Sequence, residues 1–117
     1  MICIEAIIRP ERINQVTSAL EEVGCPGFYY YNVTGQGRQR GVEVFVGRAG
    51  QTASRSAVQK TLLRTVVDDS MKDAVIAAII EASRTPGDGQ IGDGKIVVMP
   101  VLDLVRVRTG DQGTDAL

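Results

Sequence analysis

The groups best able to do chemistry gather in residues 89–110: Gly-Gln-Ile-Gly-Asp-Gly-Lys-Ile-Val-Val-Met-Pro-Val-Leu-Asp-Leu-Val-Arg-Val-Arg-Thr-Gly. Glycines let backbone N–H groups approach a ligand closely and accept positive φ. Lys95 adds a point charge. Arg106 and Arg108 alternate with Val105 and Val107, so on an extended backbone both guanidinium groups leave the same face. Cations and open backbone donors together suit a polyphosphate. The same residues also describe an ordinary turn before a strand, followed by two solvated arginines. Gly89-x-x-x-x-Gly94-Lys95 fits the opening of a P-loop. That motif then needs Ser or Thr for magnesium and a helix whose dipole meets the phosphates. Ile96 follows instead, and Ile96-Val97-Val98 reads as strand, so the P-loop is rejected.

The elements that must position these groups are those of one domain spanning residues 1–117, long enough for a real core. Apolar residues make up 44% and charged residues 23%, ordinary for a soluble globular chain. A net charge of −1 gives no electrostatic case for nucleic acid, and three tyrosines with two phenylalanines make a poor base-stacking platform. No apolar run is long enough to span a membrane and no signal-peptide pattern opens the chain, so cytoplasmic residence is expected. Two cysteines, Cys3 and Cys25, do not form a disulfide framework. Cys3 sits in an apolar strand pattern as a small core residue. The absence of histidine argues against a zinc site and removes the commonest general base.

Met1–Ile8 is apolar and β-branched, a first strand. Pro10 sits where a helix begins; Ile13, Val16, Leu20 and Val23 recur at helical spacing, and Gly24 is placed to end the helix. Phe28–Thr34 reads as a second strand, its three tyrosines packing on alternate faces. Residues 36–60 form a long, glycine-punctuated loop of the kind that is functional or disordered. Within it Val42, Val44 and Val46 alternate with Glu43 and Phe45, a pattern able to become a hairpin when a partner holds it. Thr61–Val67 is a third strand. Asp68, Asp69 and Ser70 supply capping groups, and Met71, Val75, Ala78, Ile79 and Ala82 line a helical face widened by Ile76 and Ile80. Thr85–Gly89 stops that helix, Lys95–Val101 is a fourth strand, and Leu104–Val107 is extended. The polar tail 109–117 is expected to be mobile. The order β-α-β, long loop, β-α-β predicts an α+β, ferredoxin-like double βαβ sandwich. Ile2, Ile4, Leu62 and Leu63 are too apolar to leave on an open sheet face, which predicts self-association.

Several motifs together resemble the PII signal-transduction proteins, trimeric sensors of nitrogen, carbon and energy status. They are Ile4-Glu-Ala-Ile-Ile-Arg-Pro-Glu-Arg, Gly35-Gln-Gly-Arg-Gln-Arg-Gly41, Ile91-Gly-Asp-Gly-Lys-Ile96 and Arg106-Val-Arg-Thr-Gly110. The resemblance covers nearly the whole chain. It implies a homotrimer with ATP or ADP competing for clefts between subunits. The turn Gly92-Asp93-Gly94-Lys95 would cradle phosphate, and Arg106 and Arg108 would reach it from the neighbouring subunit. Gly35, Gly37, Arg38 and Gln39 would close over the nucleotide, and Val66 would lie near the adenine. Gln39 would contact 2-oxoglutarate and help hold magnesium with the ATP phosphates; Lys60 would pair with the 2-oxoglutarate carboxylate. Phe45, Val46 and Arg48 would meet a target transporter or metabolic enzyme.

Some positions depart from the family pattern. Tyr29 stands where relatives commonly carry Thr against the adenine. Arg84-Thr-Pro-Gly-Asp-Gly-Gln90 is about three residues longer than the usual Arg-Thr-Gly-Lys turn. The common Glu-x-Tyr-Arg-Gly reads Glu43-Val44-Phe45-Val46-Gly47. No tyrosine lies between Gln36 and Lys60, which excludes uridylylation there. Thr52, Ser54 and Ser56, near Arg48 and Arg55, are possible phosphate acceptors, but a mobile loop ordinarily carries such residues, and ligand exchange alone is expected to govern it. The expected function is a non-catalytic sensor. A small-metabolite-binding or catalytic ferredoxin-like protein is the alternative, without a paired nucleophile and base to support catalysis. RNA binding through the open sheet lacks its aromatic strand pattern.

Overall fold

The computed structural model describes residues 1–37, 43–45, 52–54 and 58–117. The elements run β1 (Ile2–Ile8), α1 (Ile13–Glu22), β2 (Tyr29–Gly35), β3 (Glu43–Phe45), β4 (Thr52–Ser54), β5 (Val58–Val67), α2 (Lys72–Ser83) and β6 (Gly94–Pro100). β2, β5, β1 and β6 form one antiparallel sheet in that order, the ferredoxin-like arrangement. β3 and β4 form a separate hairpin, pairing Val44 with Ala53. Of the alternating valines, Val44 lies in this hairpin; Val42 and Val46 fall outside the described residues.

Local signals set the helix ends. Gly24 takes φ +78, its N–H donates to Glu21 O at 3.1 Å, and the Cys25 N–H donates to Leu20 O at 3.0 Å, a Schellman stop for α1. Asp68 accepts from the Ser70 N–H at 2.9 Å and caps the single turn that leads into α2. β-branched alternation sets the core. Ile4, Ala6 and Ile8 of β1 meet Leu63 and Val67 of β5 beneath Val16, Leu20, Val75 and Ile79 of the helices, all essentially buried.

This packing corrects the expected open face. Ile4 and Leu63 lie under the helices, and Ile2 packs beside them. By strand alternation the uncovered face carries Leu62, Cys3, Ile7, Val66 and Val97, with Tyr29 and Tyr31 half-exposed. Arg64 sits among them, its Nη2 2.9 Å from Glu5 Oε2. The face is apolar even so, because alternation through Val-Gln-Lys-Thr-Leu-Leu-Arg-Thr-Val-Val puts hydrophobic residues on both sides of β5.

Two further expectations change. β5 starts at Val58, so Lys60 is a strand residue rather than part of the loop. The tail expected to be mobile folds back: the Arg106 N–H donates to Asp111 O at 2.9 Å, Val105 bridges Gln112, and residues 113–116 form a helical turn.

Candidate functional site

The connection from α2 to β6 is built around the carboxylate of Asp93. It accepts from the Thr85 hydroxyl at 2.6 Å, the Thr85 N–H at 2.9 Å, the Gln90 N–H at 2.9 Å and Arg9 Nε at 3.1 Å. Arg9 also donates from Nη2 to Ile91 O at 3.1 Å. The Thr85 hydroxyl foremost, with the two amides and Arg9, holds the Asp93 carboxyl well below the usual carboxylate range, although burial pulls the other way. Two glycines are required by what they touch. Gly94 has φ +133, and a Cβ there would run into the carbonyl oxygen of Ile7. Gly89 has φ +77, and a Cβ there would sit 2.9 Å from Asp93 Oδ2.

This brace presents the outer side of the turn to β5 and the end of β2. Lys60 Nζ donates to Gly92 O at 2.5 Å, tying β5 to the turn. Burial, reinforced by Arg9 and opposed by Glu11 and Asp93, pulls the Lys60 pKa down. Between these elements lies a cleft of about 290 Å³, lined by Ile7, Gly35, Gln36, Gly37, Val58, Lys60, Ile91, Gly92, Gly94 and Lys95. Backbone donors at glycines and two lysines fit it for an oxyanion.

The structure thus brings together Gly35, Gly37, Lys60, Gly92, Gly94 and Lys95. Asp93 does not line this cleft; its carboxylate is spent inside the turn, so the turn offers a ligand its backbone and Lys95 instead. Val66 is half-buried on the uncovered sheet face, paired with Cys3, and lies outside the cleft. Arg106 and Arg108 also lie outside it. Arg106 Nη2 donates to Leu117 O at 2.8 Å and Nη1 is 3.5 Å from Asp111 Oδ2, while Arg108 is exposed. The backbone turns at residues 107–109, so the two arginines do not share one extended face. Arg38, Gln39, Val46, Arg48 and Ser56 fall outside the described residues; Phe45 ends β3, and Thr52 and Ser54 lie in β4.

Arg9, Thr85 and Ile91 were not assigned roles from sequence. Arg9 had one signal, its place at the end of a strand just before Pro10, but its partner stands 84 residues away. Among the described residues no group of three or more His, Cys, Asp or Glu could hold a metal ion, and no helix is long and apolar enough to cross a membrane.

Residues 1–111 match the family described as Nitrogen regulatory protein P-II. Over 115 residues the chain is 41% identical to Nitrogen regulatory protein P-II 2 of Methanothermobacter thermautotrophicus, covering 97% of this chain and 95% of that one. It is 43% identical over 113 residues to a P-II homolog of Arabidopsis thaliana, covering 97% of this chain and 56% of the plant protein. A crystal structure of Arabidopsis thaliana PII bound to citrate matches with a TM-score of 0.76 at 39% identity, covering 99% of this chain and 91% of that chain.

Proposed function

The chain belongs to the nitrogen regulatory P-II family, and from that membership and the shape of its cleft we propose that it is a trimeric, non-catalytic sensor of adenine nucleotides. ATP and ADP compete for the cleft at Gly35, Gly37, Lys60, Gly92, Gly94 and Lys95. The observation that carries this reading is the cleft itself, where glycine backbone and two lysines converge beside the base of the long loop. At about 290 Å³ it is at the small end for a ligand pocket, which suits half of a nucleotide site. Arg106 and Arg108 of a second copy form the opposite wall. The exposed Leu102 and Val107 next to them, and the apolar sheet face, supply the surface that a neighbouring subunit covers.

In this reading 2-oxoglutarate binds beside magnesium and ATP through Gln39 and Lys60. A dianion next to a triphosphate needs the metal to bridge them. The citrate held by the Arabidopsis relative supports a site of this family that accepts carboxylates. The loop carrying Phe45, Val46 and Arg48 then binds or releases a target transporter or metabolic enzyme, its shapes weighted differently by each ligand.

Calorimetry tests the reading. 2-Oxoglutarate is expected to bind only with magnesium and ATP present, and Gln39→Ala to abolish that binding while ADP affinity persists. Lys95→Ala is expected to weaken ATP about tenfold or more, and to weaken AMP less. Binding of 2-oxoglutarate to nucleotide-free protein, or equal losses for ATP and AMP, contradicts it.

A further inference from the structure

On the other side of the same turn lies a second cavity, larger than the cleft at about 690 Å³ and within the usual range for small-molecule sites. Its floor is hydrocarbon: Ile76 and Ile80 of α2, Ile96 and Val98 of β6, and Ile8. Arg84, Asp88 and Lys95 bring charge of both signs to its lining. Asp88 belongs to the turn Arg84–Gln90, which is about three residues longer than the turn it resembles. The stem of Arg84 passes beside Gly89, where a Cβ would come within 3.1 Å of Arg84 Cγ, so the glycine gives it room. Ser83 also lines the cavity. The residue is 6% exposed, and its Oγ is buried without a hydrogen-bond partner among the described residues. Turned toward the cavity by rotation about χ1, that hydroxyl offers a ligand's polar atom a partner. α2 ends at Ser83, and its last carbonyl groups carry the negative end of the helix dipole.

We propose that this cavity binds a free aliphatic α-amino acid. The isoleucine floor takes the hydrocarbon side chain. Arg84 takes the carboxylate, while Asp88 and the carbonyl end of α2 take the ammonium group. Ser83 Oγ, so rotated, gains a partner that it lacks among the described residues. A dicarboxylate places its second charge against Asp88 and is rejected, which separates this site chemically from the proposed 2-oxoglutarate site. A plain hydrocarbon leaves the charged groups unanswered. The proposal does not rest on nucleotide binding, although Ile91, Gly94 and Lys95 border both spaces.

The test is methyl NMR on the full chain labelled at isoleucine, titrated with L-leucine, 4-methylpentanoate (no ammonium), isopentylamine (no carboxylate) and glutarate. Leucine is expected to shift the Ile76 and Ile80 methyl signals saturably. The two truncated probes should bind about tenfold or more weakly, and glutarate not at all. Asp88→Asn is expected to weaken leucine to the level of 4-methylpentanoate without altering 4-methylpentanoate itself, a selectivity that general misfolding does not produce. Ile80→Glu, at a partly exposed position, should abolish the response. The proposal is overturned if leucine gives no saturable shift, if 4-methylpentanoate binds as well as leucine, or if glutarate binds here. It is also overturned if ligand-free protein shows intersubunit contacts to these methyls, because a second copy then fills the cavity.

Discussion

The turns on either side of β6 use the same three residue types in different ways. Before β6, Thr85, Asp93 and Arg9 lock together, and the ion pair is four-fifths buried at 19% and 18% exposure. After β6, Thr109 donates to Asp111 Oδ2 at 2.8 Å and Arg106 lies 3.5 Å from the same oxygen, yet that pair is 37% and 46% exposed. The first arginine comes from the far end of the chain and ties the turn to the sheet. The second comes from beside the turn and ties it only to neighbouring Asp111 and to the Leu117 carbonyl, leaving Val107 99% exposed. Partial burial makes the first network a structural brace; solvent screening leaves the second with little energy of its own. One turn is completed inside the chain, and the other leaves Val107 and Arg108 exposed.

The sharpest way to break the first turn is Gly94→Ala. The φ of +133 is nearly glycine-only, and the new methyl would meet the Ile7 carbonyl where β6 begins. A loss of about 3 kcal/mol is expected in denaturant melts, and an unchanged midpoint would remove the close approach from the account. Asp93→Asn comes next, at about 2 kcal/mol, because a carboxylate with several donors is replaced by a poorer acceptor. Its pH signature has a fixed sign. A carboxyl held below its unfolded value contributes stability above about pH 4, and that contribution drains away as pH falls toward the folded value. Wild-type stability should therefore drop below about pH 4, and Asp93→Asn should flatten that drop. Asp111→Asn, in the second turn, should change stability by under about 0.5 kcal/mol. Equal costs for the two aspartates would erase the contrast between the turns. The smallest effect on folding is expected from Val107→Asp, again within about 0.5 kcal/mol. Its effect is on assembly: light scattering should show the proposed trimer falling to monomer, and a trimer of unchanged mass would place Val107 outside the interface.

The framework was legible because β-branched runs and helical repeats are local signals, and Gly24 and Asp68 act within a few residues of where they stand. The cleft's glycines and lysines were legible as types, and six of them do converge. What was hidden depends on long-range contact. Nothing near Asp93 indicates that its charge is consumed by Thr85 and by Arg9 on the other side of the sequence. The polar Gln59 and Lys60 disguised the start of β5, where pairing with β2 overrides propensity. Leu62 and Leu63 are adjacent and both apolar, so composition alone does not tell the helix face from the open one; only register does.

In the proposed assembly one nucleotide site is built from two copies of the chain, with Lys95 on one wall and Arg106 and Arg108 on the other. Mixed assembly tests it most directly. Lys95→Ala protein and Arg106→Ala/Arg108→Ala protein should each bind ADP poorly alone. Refolded together, they should regain tight ADP binding, because a mixed trimer joins an intact Lys95 from one subunit to intact arginines from its neighbour. Calorimetry that finds no recovered tight site in the mixture, or full ADP affinity in the double arginine variant alone, would contradict a shared cleft.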